Sequence, residues 1–125
     1  MRASRYNEVF RENVVMTMDQ LKLAVSQPRE SILRDLKKIG YYSSYNARGK
    51  FYTLADIPEF DSLGLWKYRS AYFSIRRTLL QTIVHLVSVS DAGHSHGELR
   101  QALGIDIQNA LYQLSISAYV KISIM

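Results

Sequence analysis

Slid along itself by 78 positions, the chain matches without a gap, Thr17–Ser44 falling on Ser95–Ile122. A chain that repeats itself must satisfy the same local folding rules twice, which narrows its architecture more than composition does. Leu21 meets Leu99, Ala24 meets Ala102, Leu33 meets Leu111, Leu36 meets Leu114 and Tyr41 meets Tyr119. Conservative pairs stand between them: Thr17 with Ser95, Gln20 with Glu98, Lys22 with Arg100, Val25 with Leu103. Five identities in 28 positions carry little statistical weight, but they fall where a fold would constrain the chain.

Each copy opens on a capping box, Thr17-x-x-Gln20 and Ser95-x-x-Glu98. A hydroxyl satisfies an orphan N–H of the first helical turn and a longer side chain reaches back. About two turns of helix follow, broken at Ser26-Gln27-Pro28 or at Gly104-Ile105-Asp106. In the first copy Pro28 suits the opening of the next helix, where its missing N–H costs nothing. Ile32, Leu33, Leu36 and Ile39 then recur at helical spacing, and Ala110, Leu111 and Leu114 fill the first three matching slots of the second copy. Gly40 is a natural helix stop. Tyr41-Tyr42-Ser43-Ser44-Tyr45 reads as a strand, Asn46-Ala47-Arg48-Gly49-Lys50 as a turn and Phe51-Tyr52-Thr53-Leu54 as the returning strand.

Upstream, Tyr6, Val9 and Phe10 mark one face of an earlier helix, and Val14-Val15-Met16 a short strand. In the second copy Leu79, Leu80, Ile83, Val84 and Val87 mark the corresponding helix, with Asp91-Ala92-Gly93 as its end. The second copy is expected to have one strand, Tyr119 to Ile124, and no returning strand. The expected division is a first unit over 1–54, an aromatic linker over 55–74 and a second unit over 75–125. Phe60, Leu63, Leu65, Trp66, Tyr68, Tyr72 and Phe73 make that linker too apolar for a loose tether, so it is expected to clamp the units into one body.

An apolar content of 47% in 125 residues argues against disorder. The longest apolar-rich stretch, Leu79 to Val89, is interrupted by Gln81, Thr82, His85 and Ser88, so it reads as a buried helix and not as a membrane span. The N-terminus has no apolar run behind its charges and is not a secretory signal. The absence of cysteine excludes disulfides, thiolate metal sites and a cysteine nucleophile, and fits a cytoplasmic protein. The net charge of +5 permits an anionic partner. Between Gln27 and Lys50 stand Arg29, Arg34, Lys37, Lys38, Arg48 and Lys50 against only Glu30 and Asp35, whereas the charges of residues 61–125 are scattered.

The run from Gln27 to Tyr41 (QPRESILRDLKKIGY) resembles the recognition helix and first wing strand of winged helix-turn-helix regulators. The likeness covers residues 4–54 and, more loosely, 75–125. It implies a mainly α fold with small β-hairpins: two winged helix-turn-helix units in tandem, the first reading double-stranded DNA. The resemblance implies a recognition helix over 28–39, whose opening presents Gln27, Arg29, Glu30, Ser31 and Arg34 to base edges. Lys37 and Lys38 would meet phosphates, and a wing over 41–54 would bring Asn46, Arg48 and Lys50 to the backbone or the minor groove. In the second copy the slots of Arg29, Arg34, Lys37 and Lys38 hold Ile107, Tyr112, Ser115 and Ile116, so that copy is expected to serve structure or dimerisation.

The blander reading of the basic residues is a solvated helix face, and of the tyrosines ordinary core. His94-Ser95-His96, with His85 nine residues before His94, is weak metal-ligand spacing, and no metal or cofactor is expected. No nucleophile–base set or phosphate-cradling glycine loop is visible, so the chain is not expected to be an enzyme. The expected function is sequence-specific DNA binding in transcription regulation, with a homodimer as a candidate assembly. The alternatives are a protein-interaction module, a DNA-binding accessory of a mobile element, and a small-molecule sensor around Trp66.

Overall fold

Tyr6 and Phe10, four residues apart, fall on the same side of a helix, and burying them fixes how the chain begins. The computed structural model describes residues 2–89, 94–107 and 122–123. Helix α1 (Arg2–Asn13) buries Tyr6 and Phe10 almost completely. Val14 stops it with a φ of 68°, a conformation that a β-branched residue adopts only under constraint. Thr53 supplies that constraint: its buried hydroxyl donates to the Val14 carbonyl at 2.7 Å. The strand expected at 14–16 accordingly starts later, as β1 (Met16–Thr17).

Helix α2 (Met18–Val25) begins with the capping box read in the sequence. The Gln20 N–H donates to the Thr17 hydroxyl at 3.3 Å and the Thr17 N–H to the Gln20 side-chain oxygen at 2.8 Å. It ends at Ser26, left-handed at φ 55°. Helix α3 (Arg29–Ile39) follows with Pro28 just outside its first turn. It buries Ile32 and Leu36, each worth roughly 1.5–3 kcal/mol of transfer free energy. Asp35 is also buried, accepting a hydrogen bond from the Tyr6 hydroxyl at 3.0 Å, so α1 and α3 are joined by a polar contact inside an apolar core. Gly40 closes α3 at φ 101°, a value that favours glycine.

Strands β2 (Tyr41–Ser43) and β3 (Phe51–Leu54) form the expected hairpin, Tyr41 opposite Leu54 and Ser43 opposite Tyr52. β1 pairs with the other edge of β3, giving a three-stranded antiparallel sheet of order β1-β3-β2. Residues 2–54 are thus three helices closed by a three-stranded sheet around one core, which includes Tyr6, Phe10, Leu21, Ile32, Leu36 and Tyr52.

Residues 55–74, expected as a linker, contain a second hairpin: β4 (Leu65–Tyr68) and β5 (Ala71–Ser74), with Trp66 opposite Phe73. Its turn, Arg69-Ser70, holds none of the glycine or asparagine that ordinarily marks a two-residue turn. Among the described residues the chain is therefore a small mixed α/β protein with five helices and two small antiparallel sheets, richer in strand than the mainly α expectation. Helix α4 (Leu79–Ser88) is capped by Thr78, and α5 (His96–Leu103) follows β6 (His94–Ser95), which pairs in parallel with β7 (Ile122–Ser123). β1 and α2 shifted by 78 residues coincide with β6 and α5. The end expected for α4 at Asp91–Gly93, and the second copy's helix with its Tyr112, Ser115 and Ile116, lie outside the described residues.

A second core gathers Leu65, Ile83, Leu86, Val87, Leu99, Leu103 and Ile107, and with them Tyr45 from the β2–β3 loop. The Tyr45 hydroxyl donates to the Leu103 carbonyl at 2.7 Å and its N–H to the Tyr72 carbonyl at 2.8 Å. Burial, helped by Tyr72 and Asp61, pushes its ionisation far above the ordinary tyrosine range, so it stays a neutral donor. One tyrosine of the first hairpin thus belongs to the core of the second half.

Candidate nucleic-acid interface

The core face of α3 is set by Ile32 and Leu36, which leaves Glu30, Arg34 and Lys37 as a stripe at i, i+4 and i+7 on the opposite side. Arg29, Glu30, Arg34, Lys37 and Lys38 are all exposed. Ser31 is half-buried, and its hydroxyl accepts from the Arg34 guanidinium at 3.2 Å, which steadies that side chain along the helix. Gln27 is half-buried in the turn before α3. Glu30, Leu33, Arg34, Lys37 and Lys38 line a shallow open groove of about 540 Å³.

The loop between β2 and β3 folds as a single 3-10 turn, Ala47–Gly49, with Ala47, Arg48 and Gly49 all at positive φ. This tight geometry carries Arg48 and Lys50 back toward the start of α3. Arg29, Arg48 and Lys50 meet around an open hollow of about 380 Å³, whose wall also includes Thr17, Asp19 and Tyr52. Three cations face one carboxylate there, an excess of two positive charges. The Lys50 ammonium lies 5.1 Å from the centre of the Phe51 ring, which restrains it without neutralising it.

Asn46 is placed differently from the other nine candidates. Its amide nitrogen donates to the Ser70 carbonyl and its amide oxygen accepts from the Tyr72 N–H, at 2.8 and 3.0 Å. Both ends of the amide hold the second hairpin, so Asn46 builds the loop instead of offering itself to a ligand. Its position in a turn-like pentapeptide gave no sign of this, because the partner lies 24 to 26 residues away.

The sequence reading also passed over the end of the second hairpin. Arg69 is exposed at its turn, with its guanidinium 5.3 Å from the Tyr68 ring centre, and Trp66 stacks on Tyr68 at 5.6 Å. The aromatic residues Trp66, Tyr68, Tyr72 and Phe73 were the available signal, obscured by the unusual turn. Among the described residues no three histidine or acidic side chains are grouped to hold a metal ion, and no helix is long and apolar enough to cross a membrane. Compared with protein-family models, curated proteins and solved structures, the chain matches none.

Proposed function

We propose that residues 2–54 are a winged helix that binds double-stranded DNA by sequence and regulates transcription, and that the chain as a whole is two such units in tandem, the second serving structure. The observation that carries this reading is the convergence of Arg29 from α3 with Arg48 and Lys50 from the hairpin turn around one hollow. A helix and a wing presenting cations to a shared space suit a duplex, whose phosphates run on both sides of the groove that the helix enters.

In this reading α3 lies in the major groove, which admits one helix. Arg29 and Arg34 reach base edges; each bidentate arginine–guanine pair contributes about 1–3 kcal/mol of discrimination. Lys37, Lys38, Arg48 and Lys50 meet phosphates. If the four cations that meet phosphates each displace a counterion, the logarithm of affinity falls against that of salt with a slope of about −3.6. A slope of that size lowers affinity by roughly two orders of magnitude between 50 and 200 mM salt.

The test is selection of bound duplexes from a random pool at two salt concentrations, followed by titration of the selected duplex. A recurring sequence and a steep salt slope are the expected results, and half-sites about 10 base pairs apart would report a dimer. Recovery of no sequence, or affinity that ignores salt, contradicts the proposal.

A further inference from the structure

Arg48 and Arg69 are two of the six non-glycine residues at positive φ among the described residues. Each is exposed, each sits in a tight turn, and each has left-handed backbone, at φ 56° and 54°. Such positions favour glycine, because an L side chain there is crowded against its own backbone. At Arg69 the strain falls on the first of the two turn residues between β4 and β5, where glycine is the ordinary choice. At both positions the strained residue is an exposed cation that enters neither core.

The two turns are also tied together. Asn46, two residues before Arg48, grips Ser70, the residue after Arg69, and the adjacent Tyr72 N–H. Chain geometry then keeps the two arginine Cα atoms within about 20 Å of each other. The Tyr68 ring under the Arg69 guanidinium, with Trp66 stacked behind it, limits how far that side chain can swing.

We infer that the β4–β5 turn is a second wing, in which Arg69 contacts the sugar-phosphate backbone of the same duplex beyond the reach of Arg48. The inference rests on the DNA-binding reading proposed above. Phosphates repeat every 3.4 Å of rise along one strand, so two arginines this close can lie on one stretch of backbone. The contact adds affinity and salt dependence and carries no base preference. It also brings the duplex to the only tryptophan of the chain, which makes the hairpin observable.

The experiment titrates the selected duplex into the full chain and into the Arg69→Gly and Arg48→Gly variants, following anisotropy of labelled DNA, Trp66 emission and melting temperature. Arg69→Gly should bind several-fold more weakly, shorten the salt slope by about one, leave the preferred sequence unchanged and lose most of the Trp66 response. Its melting temperature should be equal or higher, since glycine relieves the turn. That combination, weaker binding by a fold at least as stable, is not what a structural arginine gives. Arg69→Gly binding as the wild type does, while Arg48→Gly is weakened, overturns the second wing and leaves the first reading standing. A wild-type chain without salt-sensitive duplex binding overturns both.

Discussion

Residues 16–26 and 94–104 run through the same steps, and the step after them separates the two halves. Each has a two-residue strand, an eight-residue helix and a left-handed residue at the helix end, Ser26 in one and Gly104 in the other. Leu21 and Leu99 are both buried, as are the cores they enter. Three positions past the left-handed residue, the first half has an exposed arginine, Arg29, and the second a buried isoleucine, Ile107. The rules that build the helix are repeated, and the side chains that could meet an anion are not. Fold and exposed charge are thus separable in this chain, and the second half has turned its counterpart of Arg29 inward.

Exchanging the two residues is the strongest way to break that contrast. Ile107→Arg places an unpaired charge in the second core and should cost about 3–5 kcal/mol, read by denaturant unfolding. Arg29→Ile should change stability by no more than about 0.5 kcal/mol, because the side chain touches solvent. Equal effects would mean that the two counterparts do not differ in burial.

Leu21→Ala and Leu99→Ala should each cost about 2–5 kcal/mol, one in each core. Tyr45 ties the cores together, so both variants should still unfold in a single transition by circular dichroism and by tryptophan emission. Two separated transitions would show that the halves fold independently.

The helix ends should respond with opposite signs. Gly104→Ala puts a methyl group at φ 75°, about 3.1 Å from the Lys67 ammonium and 3.2 Å from the Tyr72 ring. It should destabilise by about 1–2 kcal/mol, most of it from the left-handed backbone. Ser26→Gly removes a smaller strain at φ 55° and should stabilise by a few tenths to about 1 kcal/mol. Thermal melts of the two variants side by side would reveal the sign directly.

What the sequence made legible follows the range of the interactions involved. The capping box, the helix at 29–39, the stop at Gly40 and the hairpin at 41–54 rest on neighbours within a few residues, and their residue types announce them. In the sequence Asp35 stands only as a charge set against the basic run, because its partner, Tyr6, is 29 residues away. Asn46 looked like a wing-tip donor because Ser70 and Tyr72 were out of sight. The β4–β5 hairpin was hidden by its own turn, where Arg69 stands in place of a glycine. Of the ten candidate contacts, the sequence identified the exposed face of α3 through its buried stripe. The approach of Arg48 and Lys50 to Arg29 depended on the loop's positive φ values, which no residue type but Gly49 suggested.

The claim on which the account turns is that the opening of α3 reads bases while the rest of the basic face meets phosphates. It is tested by comparing the affinity of the selected duplex with that of a scrambled one, for the wild type and for the Arg29→Ala, Arg34→Ala double variant, at one salt concentration and with circular dichroism as the check on folding. The account predicts that the wild type prefers the selected duplex and that the double variant, equally folded, binds both duplexes alike through its remaining cations. A double variant that keeps the wild-type preference would contradict it.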